Sequence, residues 1–449
     1  MELEPVQEKI GFKSLVARRN FLRLWVGQAI SNIGSSIGGI ALLFFAWDLG
    51  QSPAAMALLA MMQIIPQVVF AGAIGVYVDK WDRKTVMVVS DFLRFAIQLA
   101  VPFVVLFPSF MPPMYWLYIL AFLYATVNAF FFPARSASIP NLVDREELVT
   151  ANSLSQMTFQ LVSLIVTPVG GVIVALVRPY YFPAFALDAA TFLLSGLVLM
   201  TISVSLKPKI TRPHEESFLH QIIDGGRVIL RSRILILIIS LFTVLIFGGG
   251  MINALIAPYF EGELHLSELE LSLLLSASGL SGVIAAAVLG SRSRLGKPLF
   301  IVSGSMITAG VVIMGLSFVT GFYGAIIFFS LIGLVNVALN IPSNALMQEI
   351  VEDEMRGRVF SFEGIMINIS QLAGMAIGGF WAEAAGTSRP PIFAGGLIIL
   401  LVGILGTLAV IRSRMHDEID QVREEMATKA SPVKPALEDL QDLADSNEG

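Results

Sequence analysis

The sequence predicts an all-α membrane protein: twelve transmembrane helices in two six-helix, pseudo-symmetric halves. Three observations carry that prediction. The chain of 449 residues is 55% hydrophobic and only 14% charged, and its apolar residues fall in runs long enough to cross a bilayer. Lysine and arginine crowd one side of those runs. The two halves of the chain resemble each other at one fixed offset.

The runs are expected as spans at about 21–48, 54–78, 86–107, 114–135, 149–177, 182–205, 233–257, 268–290, 298–318, 321–347, 358–385 and 390–411. Backbone polar groups stay paired in lipid only in helices or closed barrels, so the runs are read as helices. The expected organisation is a cytoplasmic segment over 1–20, a six-helix bundle over 21–205, a central loop over 206–232, a second bundle over 233–411 and an acidic tail over 412–449. With the first segment placed inside, 26 of the 29 Lys and Arg fall on that side. Only Arg178 and Arg389 lie opposite, and Arg94 lies within a span. A wrong span count would destroy this asymmetry, so both termini are expected in the cytoplasm. The first run is too long for the apolar core of a cleaved signal and follows Lys13, Arg18 and Arg19.

At an offset of 208, "PVGG" (Pro168–Gly171) falls on "AIGG" (Ala376–Gly379), "NLVDREE" (Asn141–Glu147) on "EIVEDEM" (Glu349–Met355), and Asn128 on Asn336. Parallel repeats of this kind place a binding site between the halves. The paired glycines Gly170/Gly171 and Gly378/Gly379, like Gly34, Gly38 and Gly39, read as positions of close helix packing.

Composition excludes several classes of activity. With no cysteine there is no disulfide or thiol chemistry, and four scattered histidines make no metal site. No phosphate-binding G-x-x-x-x-G-K-S/T run and no nucleophile-and-base set is present, so neither an enzyme, a cofactor nor a metal is expected. Ten of the 34 acids follow Ile411, so the net charge of −5 belongs largely to the tail. That tail is expected as a helix followed by disorder. No nucleic-acid partner is indicated.

The densest charge lies in "GVYVDKWDRKTVMVVSDFLRF" (Gly75–Phe95), between and within the second and third spans. Its Lys80, Arg83 and Lys84 anchor topology. Asp91 and Arg94 share a helix face at i,i+3, roughly 8–12 Å into the third span at 1.5 Å per residue. An unpaired charge there would cost at least about 2.5 kcal/mol, so a structural ion network is expected rather than a proton relay. Polar stripes mark other spans. They are Gln28, Asn32 and Ser35/Ser36; Gln63 and Gln67; Tyr124, Asn128 and Phe131; Gln156, Gln160, Ser163 and Thr167; and Asn336, Asn340 and Asn344. Such stripes line a cavity or bond helix to helix, and the sequence leaves both open. Three further acids lie in spans. Asp48 sits at the outer end and is expected to be solvated. Asp188, with Arg178 near in sequence, and Glu363 remain as candidate proton carriers.

Twelve spans, a long central loop and the charged loop after span two together resemble the major facilitator superfamily. Its loop signature, G-x-x-x-D-R/K-x-G-R-K/R, is met by Gly75, Asp79, Lys80, Arg83 and Lys84, with Asp82 where the last glycine would stand. "DKWDRK", "FPARSASIPNLV" and "RGRVFSF" look like the branch of macrolide-efflux proteins and enterobactin exporters. The span-five signature G-P-x-x-G-G is met imperfectly, with Pro168 one place late and Val166 for the first glycine. The resemblance implies alternating access, Asp79 as a cytoplasmic latch, and a cavity lined by spans one, four, seven and ten. It implies a monomer in the inner membrane of a prokaryotic cell, exporting small hydrophobic or amphipathic compounds of drug or siderophore type, with the proton as coupling ion and lipid as surroundings. The alternatives are a lipid or lysolipid translocase on the same fold and a non-transporting membrane sensor or scaffold.

Overall fold

The computed structural model describes residues 12–78, 80–106, 110–207, 218–290 and 297–412, and among these no strand occurs. We number the membrane helices α1 (Arg19–Gly50), α2 (in pieces, below), α3 (Arg83–Ala100), α4 (Pro113–Ser138), α5 (Leu148–Val177), α6 (Phe182–Met200), α7 (Arg233–Ala254), α8 (Glu268–Gly290), α9 (Pro298–Leu316), α10 (Phe322–Ile350), α11 (Asp353–Ala385) and α12 (Arg389–Arg412). Eleven of these are long and apolar enough to span a bilayer. The exception is α2, expected as one continuous span. It runs as Pro53–Met62, Ile65–Val69 and Ala71–Val78. Pro66 is the cause of the first break: it has no N–H, and its ring clashes with the carbonyl four residues back, at Met62.

The helices begin where the sequence supplies caps. Ser52 accepts from the Ala55 N–H at 3.1 Å to start α2, and Ser232 accepts from Leu235 at 3.3 Å to start α7. Asp82 accepts from the Lys84 N–H at 3.0 Å and caps α3. The departure from glycine at this loop position therefore has a local physical role.

The repeat is visible in the packing. In the first half α1 packs on α5 and α6, α3 on α4 and α6, and α2 on α4; in the second half α7 packs on α11 and α12, α9 on α10 and α12, and α8 on α10. These are the same five pairs moved on by six helices. The main junctions between halves, α5 with α8 and α2 with α11, exchange under the same rule. A pseudo-twofold axis relates the halves.

The twin glycines sit on these junctions. A Cβ on Gly170 would lie 3.2 Å from Ile37 Cα in α1, and one on Gly378 would lie 2.7 Å from Met251 Cα in α7. The next glycine of each pair faces the other half. A Cβ on Gly171 would lie 2.7 Å from the Glu268 carbonyl of α8, and one on Gly379 would lie 3.1 Å from the Pro53 carbonyl of α2. Each pair thus packs one helix against its own half and the other half at once, which only a residue without a side chain allows.

We call the face that carries Arg83, Arg145 and Lys297 the basic face, and the opposite one, with Arg178 and Arg389, the base-poor face. One continuous apolar core crosses both halves towards the base-poor face, from Phe44, Phe45 and Phe185 to Tyr259, Leu274 and Leu316. Towards the basic face the core divides. One cluster, around Phe21, Met87 and Phe131, belongs to the first half; another, around Ile238, Phe242 and Met347, belongs to the second. Among the described residues the halves therefore share one core at the base-poor end and keep separate cores at the other. A linker helix, Phe218–Arg231, lies along α11 at the basic face, where the Arg358 guanidinium donates to Asp224 at 2.9 Å.

A β-branched side chain at either cross-half glycine forces the base-poor junction apart. Gly171→Val and Gly379→Val are each expected to lower stability by about 1–3 kcal/mol, the usual cost of overpacking. Each should also lengthen spin-label distances across that face. Unchanged melting and distances in both would remove the junction's role.

Candidate functional site

Between the halves lies a cavity of about 440 Å³. The first half lines it with Asn32, Ser35, Ser36 and Gly39 of α1, Met56, Leu59 and Gln63 of α2, and Phe159, Ser163 and Thr167 of α5. The second half contributes Asn253 and Ala254 of α7, then Ile256, and Leu275 of α8. Among these described lining residues none is charged. The volume lies in the range of sites for drug-sized ligands, and the wall offers amide and hydroxyl groups set in aliphatic surface.

Behind the α1 wall lies a buried polar network between α3, α4 and α6. Arg94 pairs with Asp91, as the i,i+3 spacing requires, and its Nη1 donates to Asn128 Oδ1 at 3.1 Å. Ser195 Oγ donates to the other Asp91 oxygen at 2.7 Å. The Arg94 guanidinium lies over two rings, 3.9 Å from the Phe131 centroid and 4.7 Å from that of Phe192. One turn along α3, Gln98 donates to Asp188 Oδ2, while Asp188 Oδ1 is buried without a partner. A Cβ on Gly38 would lie 2.8 Å from Asp188 Cγ, so the α1 backbone lies directly against this carboxyl. Tyr124 of α4 lies near both Ser35 of the cavity wall and Asn128 of the network. The network therefore reaches the cavity through one tyrosine.

At the basic face, the loop cations work within the first half. Arg83 Nη1 donates to the Ala137 carbonyl at 2.8 Å near the end of α4, and Lys84 Nζ to the Ile202 carbonyl at 2.6 Å beyond α6. Both cations satisfy carbonyls that helix ends leave open. Gly75 falls in the last piece of α2 and Lys80 is exposed. Asp79, which carries the expected latch, lies outside the described residues, as does the tail after 412.

The base-poor face holds a second charged cluster. Arg178, just after α5, donates to Asp48 of α1 through Nε at 3.0 Å, to Glu268 of α8 through Nη1 at 2.7 Å and to Glu261 through Nη2 at 2.7 Å. Tyr181 donates to Asp48. Burial pushes the Glu261 carboxyl up to about 7 against the pull of Arg178, and burial followed by the bond to Asp48 raises the Tyr181 phenol. Nearby, Ser52 Oγ donates to Glu383 of α11 at 2.7 Å, a second polar tie between the halves.

Of the eight expected cavity residues, Asn32 lines this volume. Tyr124 and Asn128 stand one layer behind it, Phe131 supports Arg94, and Gln28 is buried in α1. Asn336, Asn340 and Asn344 run along α10 towards the basic face, bonded in series: Asn340 Nδ2 donates to the Asn336 carbonyl at 2.8 Å and Asn344 Nδ2 to the Asn340 carbonyl at 2.9 Å. Asp188 and Glu363 are both buried. Their sequence neighbours Arg178 and Arg358 turn elsewhere, to the base-poor cluster and to Asp224. The sequence reading missed Asn253, hidden in "GGGMINAL", and the carboxylates Glu261 and Glu268 that meet Arg178. The lone arginine on a face without other nearby bases was the signal for the cluster.

A two-half helical bundle around an uncharged central cavity defines a transporter architecture. The chain belongs to the Major Facilitator Superfamily, whose model matches residues 24–362 and 243–442. It is 27% identical over 402 residues to Macrolide efflux protein A of Streptococcus pyogenes, covering 87% of this chain and 96% of that protein. Identity to the Enterobactin exporter EntS of Shigella boydii is 23% over 353 residues, 76% of this chain and 79% of that one. The fold matches the crystal structure of a bacterial homologue of the iron transporter ferroportin in an inward-facing state, with TM-score 0.71 at 15% identity over 87% of this chain and 98% of that one.

The buried pair makes a sharp stability test. Arg94→Met strands Asp91 without its counter-charge and is expected to cost about 3–5 kcal/mol. Adding Asp91→Asn to that variant should restore most of the loss, because the uncompensated charge goes with it. Thermal unfolding in detergent reads both. A single variant as stable as the parent would show that the pair contributes nothing.

Proposed function

We propose that this protein is a secondary active exporter of small amphipathic compounds, working by alternating access and exchanging its substrate for protons. The observation that carries this reading is the uncharged cavity at the junction of the halves, closed towards the base-poor face by packed glycines and ion pairs. Such a wall suits a bulky ligand with scattered hydrogen-bonding groups. It gives no fixed charge to clamp a phosphate or a carboxylate. The efflux and export named for similar proteins support the same direction of transport. By the bias of Lys and Arg the basic face is cytoplasmic, in the inner membrane of a prokaryote, so the cleft receives substrate from inside the cell.

Asp188 is the proposed proton carrier, with Glu363 as the second candidate. The orphaned Oδ1 of Asp188 has no hydrogen-bond partner, Arg94 acts on the carboxyl only through space, and Tyr124 lies near both the acid and Ser35 of the cavity wall. Asp91, held by Arg94 and Ser195, has a structural role. Asp188→Asn is expected to abolish accumulation driven by a pH gradient in proteoliposomes while leaving substrate exchange intact. Full gradient-driven accumulation in both Asp188→Asn and Glu363→Gln would place coupling elsewhere.

The cavity is tested at Gly39, where an added Cβ would meet no atom within 4 Å. Gly39→Phe therefore puts a ring into the volume without disturbing the packing. It should weaken substrate binding by at least about tenfold, or 1.4 kcal/mol, with the melting temperature unchanged. Binding as tight as in the parent would mean that the substrate sits elsewhere.

A further inference from the structure

Arg178 is one guanidinium among three carboxylates, and the four groups do not share a half. Asp48 and Arg178 belong to the first half, with Tyr181 beside them; Glu261 and Glu268 belong to the second. The guanidinium is thus a clamp across the base-poor junction, next to the glycine contact: the Glu268 carbonyl packs on Gly171 while its carboxylate holds Arg178. Were all three acids ionised, the closed interface would carry two negative charges in excess of its one base. One oxygen of Glu261, Oε2, is buried there with no hydrogen-bond partner.

We propose that this cluster is a proton-operated latch, in which Glu261 binds a proton as the halves close on the base-poor face and gives it up as they part.

The geometry supplies both arms of the switch. Glu261 sits in a single π-helical turn, Pro258–Glu263, between α7 and α8, and the adjoining Gly262 packs on Trp47 at the end of α1. Parting the halves takes Glu261 away from α1 and from Arg178 and into water. The charged and titratable groups that face it are Asp48 from α1, Arg178 and Tyr181 from the α5–α6 junction, and Glu268 from α8. Glu263, two residues on, turns away to Thr387 and Arg389. The burial-raised value of about 7 for Glu261, against an ordinary 4.5 in water, has the sign the latch needs. The closed form binds the proton more tightly than the open form. The closed form therefore gains as pH falls from above 7 towards 4.5 and loses as pH rises through 7. On the exporter reading above, external acid then closes the emptied transporter and returns its cavity to the cytoplasm. The direction rests on that reading; the latch itself does not.

The absence of native cysteine makes the test direct. Spin labels at Phe110→Cys and Tyr323→Cys, exposed positions of the two halves on this face, report the closure in lipid nanodiscs. Between about pH 8.5 and 5.5 the ratio of short to long distances should rise by about thirtyfold, most of it below pH 7. Glu261→Gln should abolish the response and keep the short distance throughout. Glu383→Gln, which removes a tie outside the cluster, should retain the response. A Glu261→Gln protein that titrates like the parent, or a parent that does not titrate, overturns the latch. Flux in proteoliposomes separates the two claims. Proton-driven export with no titration at this face removes the latch and keeps the exporter. Titration at Glu261 without proton-driven export keeps the latch and removes the coupling.

Discussion

The close approach of backbones at the two cross-half junctions governs the rest of this structure. Gly171 on α8 and Gly379 on α2 bring helices of different halves together without side chains between them. In lipid there is little hydrophobic force to drive helix against helix, so such contacts depend on intimate packing. The glycines lie towards the base-poor face, and so the shared apolar core lies there too. At the other end each half keeps its own core. The cavity is what remains between the shared core and the separate ones. Its neutral wall follows from this position: charged groups of both halves gather beyond the junction, at Arg178, or behind α1, at Arg94.

The two charged networks have different physical roles. Asp91, Arg94 and Asn128 are fixed within one half, enclosed by rings and satisfied by hydrogen bonds. Their coupling is strong because no water competes, and they hold α3, α4 and α6 as one body. The Arg178 cluster joins the two halves, and on the proposed mechanism its ion pairs form and break in each cycle. It is also half-open to solvent, with a side-chain exposure of 31% for Arg178, which keeps the contribution of each pair modest. A rigid network inside a half and a breakable one between halves are what a two-state mechanism requires.

Much of this fold was legible in the sequence. The spans followed from apolar run length, the two faces from Lys and Arg, and the repeat from one offset that the helix pairings reproduce. The Asp91–Arg94 pair was legible because i,i+3 spacing is local. Span two was not legible as a broken helix, although Pro66 stood in its middle, because many membrane helices tolerate proline with a kink. The cavity was legible only in part. Asn32, Ser35, Gln63, Ser163 and Thr167 all belong to stripes seen beforehand, yet depth along the axis decides which end of a stripe lines it. Asn336, Asn340 and Asn344 lie on a polar stripe but towards the basic face. The partners of Arg178 were illegible for another reason: they are 83 to 130 residues away in sequence, and no period relates them.

The claim beneath all of this is that one cavity between the halves is reached from the cytoplasm and closed to the outside. Single-cysteine accessibility at the cavity wall tests it most directly. Ser163→Cys in the cysteine-free parent would be treated with a membrane-impermeant thiol reagent in right-side-out and in inverted vesicles. The expected result is rapid labelling in inverted vesicles, slow labelling in right-side-out vesicles, and slowing of the former by a transported compound. Equal labelling from both sides, or labelling only from the outside, would contradict it.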